Sequence, residues 1–139
     1  MPDTERYRMA LSVSIIADSK FPVDRKRLRA VLASAGGTLG IPGEANVSVA
    51  VVGTRKMAQL HERYLKKEGP TDVLAFPQQD SLGGQFGFVS PHDFPLELGD
   101  IVVCYPLALL QAAEQGVFVD DRIEALALHG LGNLLGEDE

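Results

Sequence analysis

A chain of 139 residues with 45% hydrophobic and 23% charged side chains is expected to form one globular domain over residues 1–139, long enough to bury roughly 68–70% of the surface its unfolded form exposes. No apolar run approaches the roughly 18–20 residues of a membrane span, and the N-terminus lacks the basic-then-apolar order of a signal peptide, so a cytoplasmic protein is expected. The net charge of -6 argues against a nucleic-acid partner, but it averages two unlike halves: residues 1–67 hold 12 of the 13 basic side chains with 6 acidic ones, while 68–139 hold 1 basic and 13 acidic. Function is expected where the two signs meet.

Leu11-Ser12-Val13-Ser14-Ile15 alternates with period two and predicts a half-buried strand. After Pro22, Leu28, Val31, Leu32 and Ala35 recur at helical spacing, predicting a helix that ends at Gly36-Gly37. Val47, Val49 and Val51 predict a second strand, and Thr54 is the expected N-cap of a helix with Met57, Leu60, His61, Tyr64 and Leu65 on its apolar stripe. Asp72 to Phe76, bracketed by Pro70-Thr71 and Pro77, predicts a short strand. A long loop is expected from Pro77 to Leu98, then a fourth strand at Ile101 to Cys104.

Pro106 suits the first turn of a helix running through Leu109, Leu110 and Ala113 to Gly116. Asp120 and Asp121 open the last helix, with Asp121 and Glu124 spaced as a capping box, Ile123, Ala127, Gly130, Leu131 and Leu134 as its buried stripe, and Gly136 as its end. The order predicts an α+β fold, a four-stranded mixed sheet covered by helices.

A single cysteine, Cys104, excludes an internal disulfide and a multi-cysteine zinc site, and its apolar neighbours make it a core residue. Among the histidines, His61 lies on an apolar stripe and His92 in the polar loop. His129 stands on the last helix beside Asn133 and Arg122, off the apolar stripe, so that three polar groups share one face. Residues at i and i+4 can grip one metal ion, although asparagine is a poor zinc ligand. Glu139 is a further carboxylate that a turn at Gly136 could return toward His129, or part of a solvated acidic tail.

No G-x-x-x-x-G-K-(S/T) loop, G-x-S-x-G elbow or dinucleotide fingerprint is present, so no nucleotide cofactor is expected. The basic clusters Arg25-Lys26-Arg27 with Arg29, Arg55-Lys56, and Arg63 with Lys66-Lys67 are each a solvated helix face or, taken together, the phosphate contacts of an RNA site.

Three segments resemble one family. Leu60 to Pro77, with Pro70-Thr71-Asp72-Val73-Leu74-Ala75-Phe76-Pro77 at its end, is similar to the L-N-x-x-Y-R-x-K-D-x-P-T-D-V-L-S-F-P signature of the YbeY endoribonucleases, bacterial rRNA maturation factors. Leu98-Gly99-Asp100-Ile101 resembles their L-G-D-I strand, and His129 to Glu139 resembles the H-G-x-L-H-L-x-G-Y-D-H stretch that supplies their zinc ligands. The resemblance implies a metalloprotease-like, YbeY-type single domain and a metal-dependent, single-strand-specific endoribonuclease of small-subunit rRNA maturation and ribosome quality control. It also implies zinc as cofactor with His129 among its ligands, Lys66 and Lys67 on RNA phosphates, and rRNA or the small ribosomal subunit as partner.

The chain departs from the pattern at chemical positions. Asn133 and Glu139 stand where the family has its second and third histidines, Leu65 replaces the arginine after the tyrosine, and His61 replaces the asparagine. Catalytic zinc takes three protein ligands and a water, and oxygen donors favour a harder ion such as Mg²⁺ or Mn²⁺. An inactive relative that keeps the fold and a ribosome-facing surface is therefore the second expectation. A third takes the chain as a truncated gene product, which the DNA past codon 139 would decide.

Overall fold

The computed structural model describes residues 11–41, 44–78 and 96–136. The elements are β1 (Leu11–Ala17), α1 (Arg25–Thr38), β2 (Ala45–Val52), α2 (Thr54–Leu65), β3 (Val73–Pro77), β4 (Leu96–Cys104), α3 (Tyr105–Gln115) and α4 (Val119–Leu134). The strands form one mixed sheet in the order β1-β2-β4-β3, with β1, β2 and β4 parallel and β3 antiparallel to β4. This is the expected α+β architecture. No helix among the described residues is long and apolar enough to cross a membrane.

The two faces of the sheet are unequal. One carries Leu11, Val13, Ile15, Ala45, Val47, Val49, Ile101 and Val103 against Leu28 and Leu32 of α1 and Ile123, Leu126, Ala127 and Leu131 of α4, forming the main core. Among the described residues the other carries a smaller cluster of Met57, Leu74, Val102 and Cys104 with Leu60 and Leu107 beside it. Near β1 this second face turns polar: Ser12 and Ser14 are exposed, Asn46 Nδ2 donates to Glu97 at 2.9 Å, and Ser48 Oγ donates to Asp100.

Gly99 explains the Leu98-Gly99-Asp100 segment. The β2–β4 register slips there, Asn46 facing Glu97 and Val47 facing Gly99. A bulge of this kind demands unusual backbone, and Gly99 has φ +136 with Phe76 O only 2.3 Å from where a β-carbon would lie. The bulge turns Leu98 into the core.

Several boundaries differ from the sequence expectations for physical reasons. α1 runs through Gly36-Gly37 to Thr38, and the left-handed residue that ends it is Gly40, at φ +76. Gly36 instead permits close approach, since a β-carbon there would lie 2.9 Å from Leu11 Cδ2. The N-cap of α2 is Gly53; Thr54 is already helical and no side chain caps this end. The N-cap of α4 is Phe118, three residues before Asp121, and Asp121 Oδ2 accepts from Phe118 N at 3.0 Å. That is half of a capping box, because phenylalanine has no acceptor to return. Glu124 serves elsewhere, as an ion-pair partner of Arg27.

β4 begins at Leu96, inside the stretch expected to be loop, and β3 is shifted by one residue to Val73–Pro77. α3 follows expectation, with Pro106 in its first turn and Gly116 in the left-handed conformation at its C-cap. The α4 stripe is as expected, with Leu126 added and Leu134 only partly buried; Gly136, at φ +88, follows its end. Cys104 is wholly buried, and burial pushes its thiol pKa up.

Candidate functional site

α4 packs beneath β3 and β4, and Gly130 sets the distance: a β-carbon there would lie 2.7 Å from Ile101 Cγ2. With Ile123, Ala127 and Leu131 turned into the core, His129 and Asn133 are left exposed on successive turns of the opposite face. Arg122, about 10 Å nearer the N-terminus on the same face, is held by neighbouring elements. Its Nε donates to Gln111 Oε1 at 2.7 Å, Gln111 Nε2 donates to Asp72 Oδ2 at 3.2 Å, and Arg122 Nη2 stands 4.0 Å from that oxygen. This bridge joins α4, α3 and the residue before β3, whose carbonyl accepts from Cys104 N at 2.9 Å.

Among the described residues no group of three His, Cys, Asp or Glu side chains could hold a metal ion. His129 and the Asn133 amide are the donors that α4 presents, and these two do not fit a catalytic zinc, which needs three protein ligands. Glu139 and His92 lie outside the described residues.

Lys66 and Lys67 occupy the passage from α2 to β3, and both are exposed. Lys66 is the C-cap of α2 and takes the left-handed conformation at φ 59, the one described non-glycine residue with positive φ. Its N–H donates to Glu62 O at 3.0 Å, and His61 closes the turn through a 2.9 Å hydrogen bond between Nδ1 and Gly69 O. A carbonyl can only accept, so Nδ1 carries the proton. The expected apolar stripe of α2 is buried only at Met57 and partly at Leu60; Tyr64 and Leu65 are 56% and 48% exposed. The Tyr64 ring packs edge-on with Phe76 of β3, centroids 5.2 Å apart, and Arg63 Cζ lies 5.7 Å from its centroid.

The first basic cluster, grouped above with a possible RNA site, has another use. Arg25 donates to Ile15 O at 2.9 Å and Ala17 O at 3.1 Å, and Arg29 donates to Val13 O at 3.2 Å, covering outward carbonyls of the edge strand β1. Arg27 pairs with Asp121 and Glu124 of α4. Arg27 and the Phe118 N–H hold the Asp121 carboxyl below its usual range, whereas burial pushes Glu124 up against the pull of Arg27. The basic and acidic halves thus meet first in a structural clamp between α1 and α4. The cations left without ion-pair partners among the described residues include Lys66 and Lys67, beside Tyr64. The order Arg63-Tyr64, then Lys66-Lys67, was the sequence signal for this group, hidden because Tyr64 also fitted an apolar helical stripe.

The family model for endoribonuclease YbeY matches residues 15–139. The chain is 36% identical over 128 residues to the endoribonuclease YbeY of Thermobifida fusca, covering 92% of this chain and 81% of that one. It is also 36% identical over 129 residues to that of Acidothermus cellulolyticus, covering 92% and 79%. The solution structure of TM1509 from Thermotoga maritima shares the fold, with a TM-score of 0.56 at 22% identity over 91% of this chain and 73% of that one.

Proposed function

The chain belongs to the YbeY endoribonuclease family, and we propose that it is a metal-dependent, single-strand-specific endoribonuclease of small-subunit rRNA maturation and ribosome quality control. The family match across 15–139 carries this reading. In it, residues 1–139 act as one cytoplasmic domain. Exposed Lys66 and Lys67 bind phosphates of the RNA at the turn that leads into β3, where charge attraction to the backbone is independent of sequence. His129 meets the RNA from α4, the helix packed beneath that strand, and its exposed imidazole can donate a lone pair to a cation.

A divalent ion, when bound, would stabilise the negative charge that develops on the phosphate. Zinc is the family's ion, but an amide oxygen in place of a second imidazole shifts the preference toward a harder ion and weakens binding. The test is cleavage of single-stranded RNA by the purified protein with Zn²⁺, Mn²⁺ or Mg²⁺ added in turn, with metal content measured beside a His129→Ala control. Cleavage with at least one ion and a loss of bound metal in the variant are expected. No cleavage under any ion would refute the enzymatic reading, and equal metal content would remove His129 from the site.

A specific observation favours a second reading, a catalytically inactive relative that binds rRNA or the small ribosomal subunit. The residues that build the fold are in place, Gly99 at the bulge and Gly130 against Ile101 among them, while two of three ligand positions hold Asn133 and Glu139. Co-sedimentation with small subunits without cleavage would establish it.

A further inference from the structure

We infer that Tyr64 is a stacking platform for one unpaired base of the RNA, an inference that rests on the nuclease or RNA-binding reading above. Tyr64 sits in the last turn of α2 with 56% of its surface exposed. Its orientation is fixed all the same. Phe76 meets it edge-on at 5.2 Å, and α2 is tied to the following segment by the contact of His61 with Gly69. Contact of the ring with Phe76 and with the Arg63 guanidinium, at 5.7 Å, restricts rotation without enclosing it.

Positive charge stands close to this ring along the chain. Arg63, Lys66 and Lys67 lie within four residues of it, and the ion pairs among the described residues involve Arg27 and Arg122 instead. An aromatic face flanked by cations is the pairing that single-stranded nucleic acid requires, because the cations hold the phosphates while the ring takes the face of a base. A duplex keeps its bases stacked on one another and offers no free face, so the same geometry discriminates against paired RNA. Leu65 beside it is 48% exposed and adds apolar surface without charge.

The test uses the full chain and a short single-stranded RNA carrying 2-aminopurine, whose fluorescence falls when the base stacks on an aromatic ring. Wild-type protein should quench the probe. Tyr64→Phe should bind and quench like wild type, whereas Tyr64→Ala and Tyr64→Leu should lose quenching and about five- to hundredfold in affinity, as expected for one base–aromatic contact. The leucine variant keeps an apolar partner for Phe76 and so controls for packing. Salt dependence separates the roles: the Tyr64 variants should keep the wild-type slope of log affinity against log salt, while Lys66→Gln should keep quenching and lose about 0.7 of slope. Wild-type quenching retained by Tyr64→Ala and Tyr64→Leu would overturn the inference and leave the RNA-binding reading intact. Wild-type protein that binds no single-stranded RNA would overturn both.

Discussion

Gly130 of α4 and Ile101 of β4 lie so close that any β-carbon on residue 130 would reach 2.7 Å from Ile101 Cγ2. Ile101 is wholly buried and cannot yield. Gly130→Ala should therefore destabilise the protein by about 1–2 kcal/mol, the overpacking cost of about 1–3 kcal/mol offset by the better helix propensity of alanine, about 0.5–1 kcal/mol. Denaturant unfolding checks this; an alanine variant at least as stable as wild type would show that α4 can move away from the sheet.

Lys66 carries opposed effects on stability and on binding. A left-handed backbone costs a side-chain-bearing residue about 1–2 kcal/mol relative to glycine, partly recovered because glycine is freer when unfolded. Lys66→Gly should stabilise the fold by up to about 1 kcal/mol and weaken RNA binding, with a shallower salt dependence. Thermal melts and binding titrations on the same preparation test the pair of effects.

Asp121 and Glu124 touch the same arginine but should respond to acid in opposite ways. The Asp121 pKa is lowered by Arg27 and the Phe118 N–H, so its contribution is present at neutral pH and lost as pH falls through the lowered value. Asp121→Asn should melt below wild type at pH 7, with the gap closing in acid. Glu124 is pushed up by burial, so the cost of its charge is present above the raised value and relieved below it. Any advantage of Glu124→Gln should shrink as pH falls. Melting temperatures across pH 3 to 7, on the order of the carboxylate range, decide both signs.

Arg25 and Arg29 cover the carbonyls of Val13, Ile15 and Ala17 on the edge strand β1. Open strand edges recruit further strands. The double variant Arg25→Gln, Arg29→Gln should associate with rising concentration where wild type does not, and sedimentation velocity reads the difference. An unchanged sedimentation profile would mean that these carbonyls are protected by something else.

Period-two alternation at Leu11–Ile15 and Val47–Val51 was legible because each strand turns one face into the main core, and Pro106 and Gly116 marked α3 because both act on the local backbone. What escaped depends on partners distant in sequence. Gly36 reads as a helix stop until Leu11 is seen against it. Arg25, Arg27 and Arg29 read as a solvated patch until β1 and α4 are in place. For the candidate site, the motif around Lys66 and the isolated face of His129 were readable. The exposure of Tyr64 was not, since helical spacing does not say how far the sheet extends over α2.

The strand order has a consequence for synthesis. β4 is the last strand made, yet it lies between β2 and β3, and β3 has no other strand partner among the described residues. A nascent chain that has reached Pro77 holds β1, α1 and β2 but lacks the strand that would anchor β3, and it lacks the Ile123, Leu126, Ala127 and Leu131 side chains of α4 that complete the main core. The main core and the anchor of β3 are therefore complete only once α4 has been made, whereas the Lys66 turn is closed by contacts within residues 61–69 and can form before them.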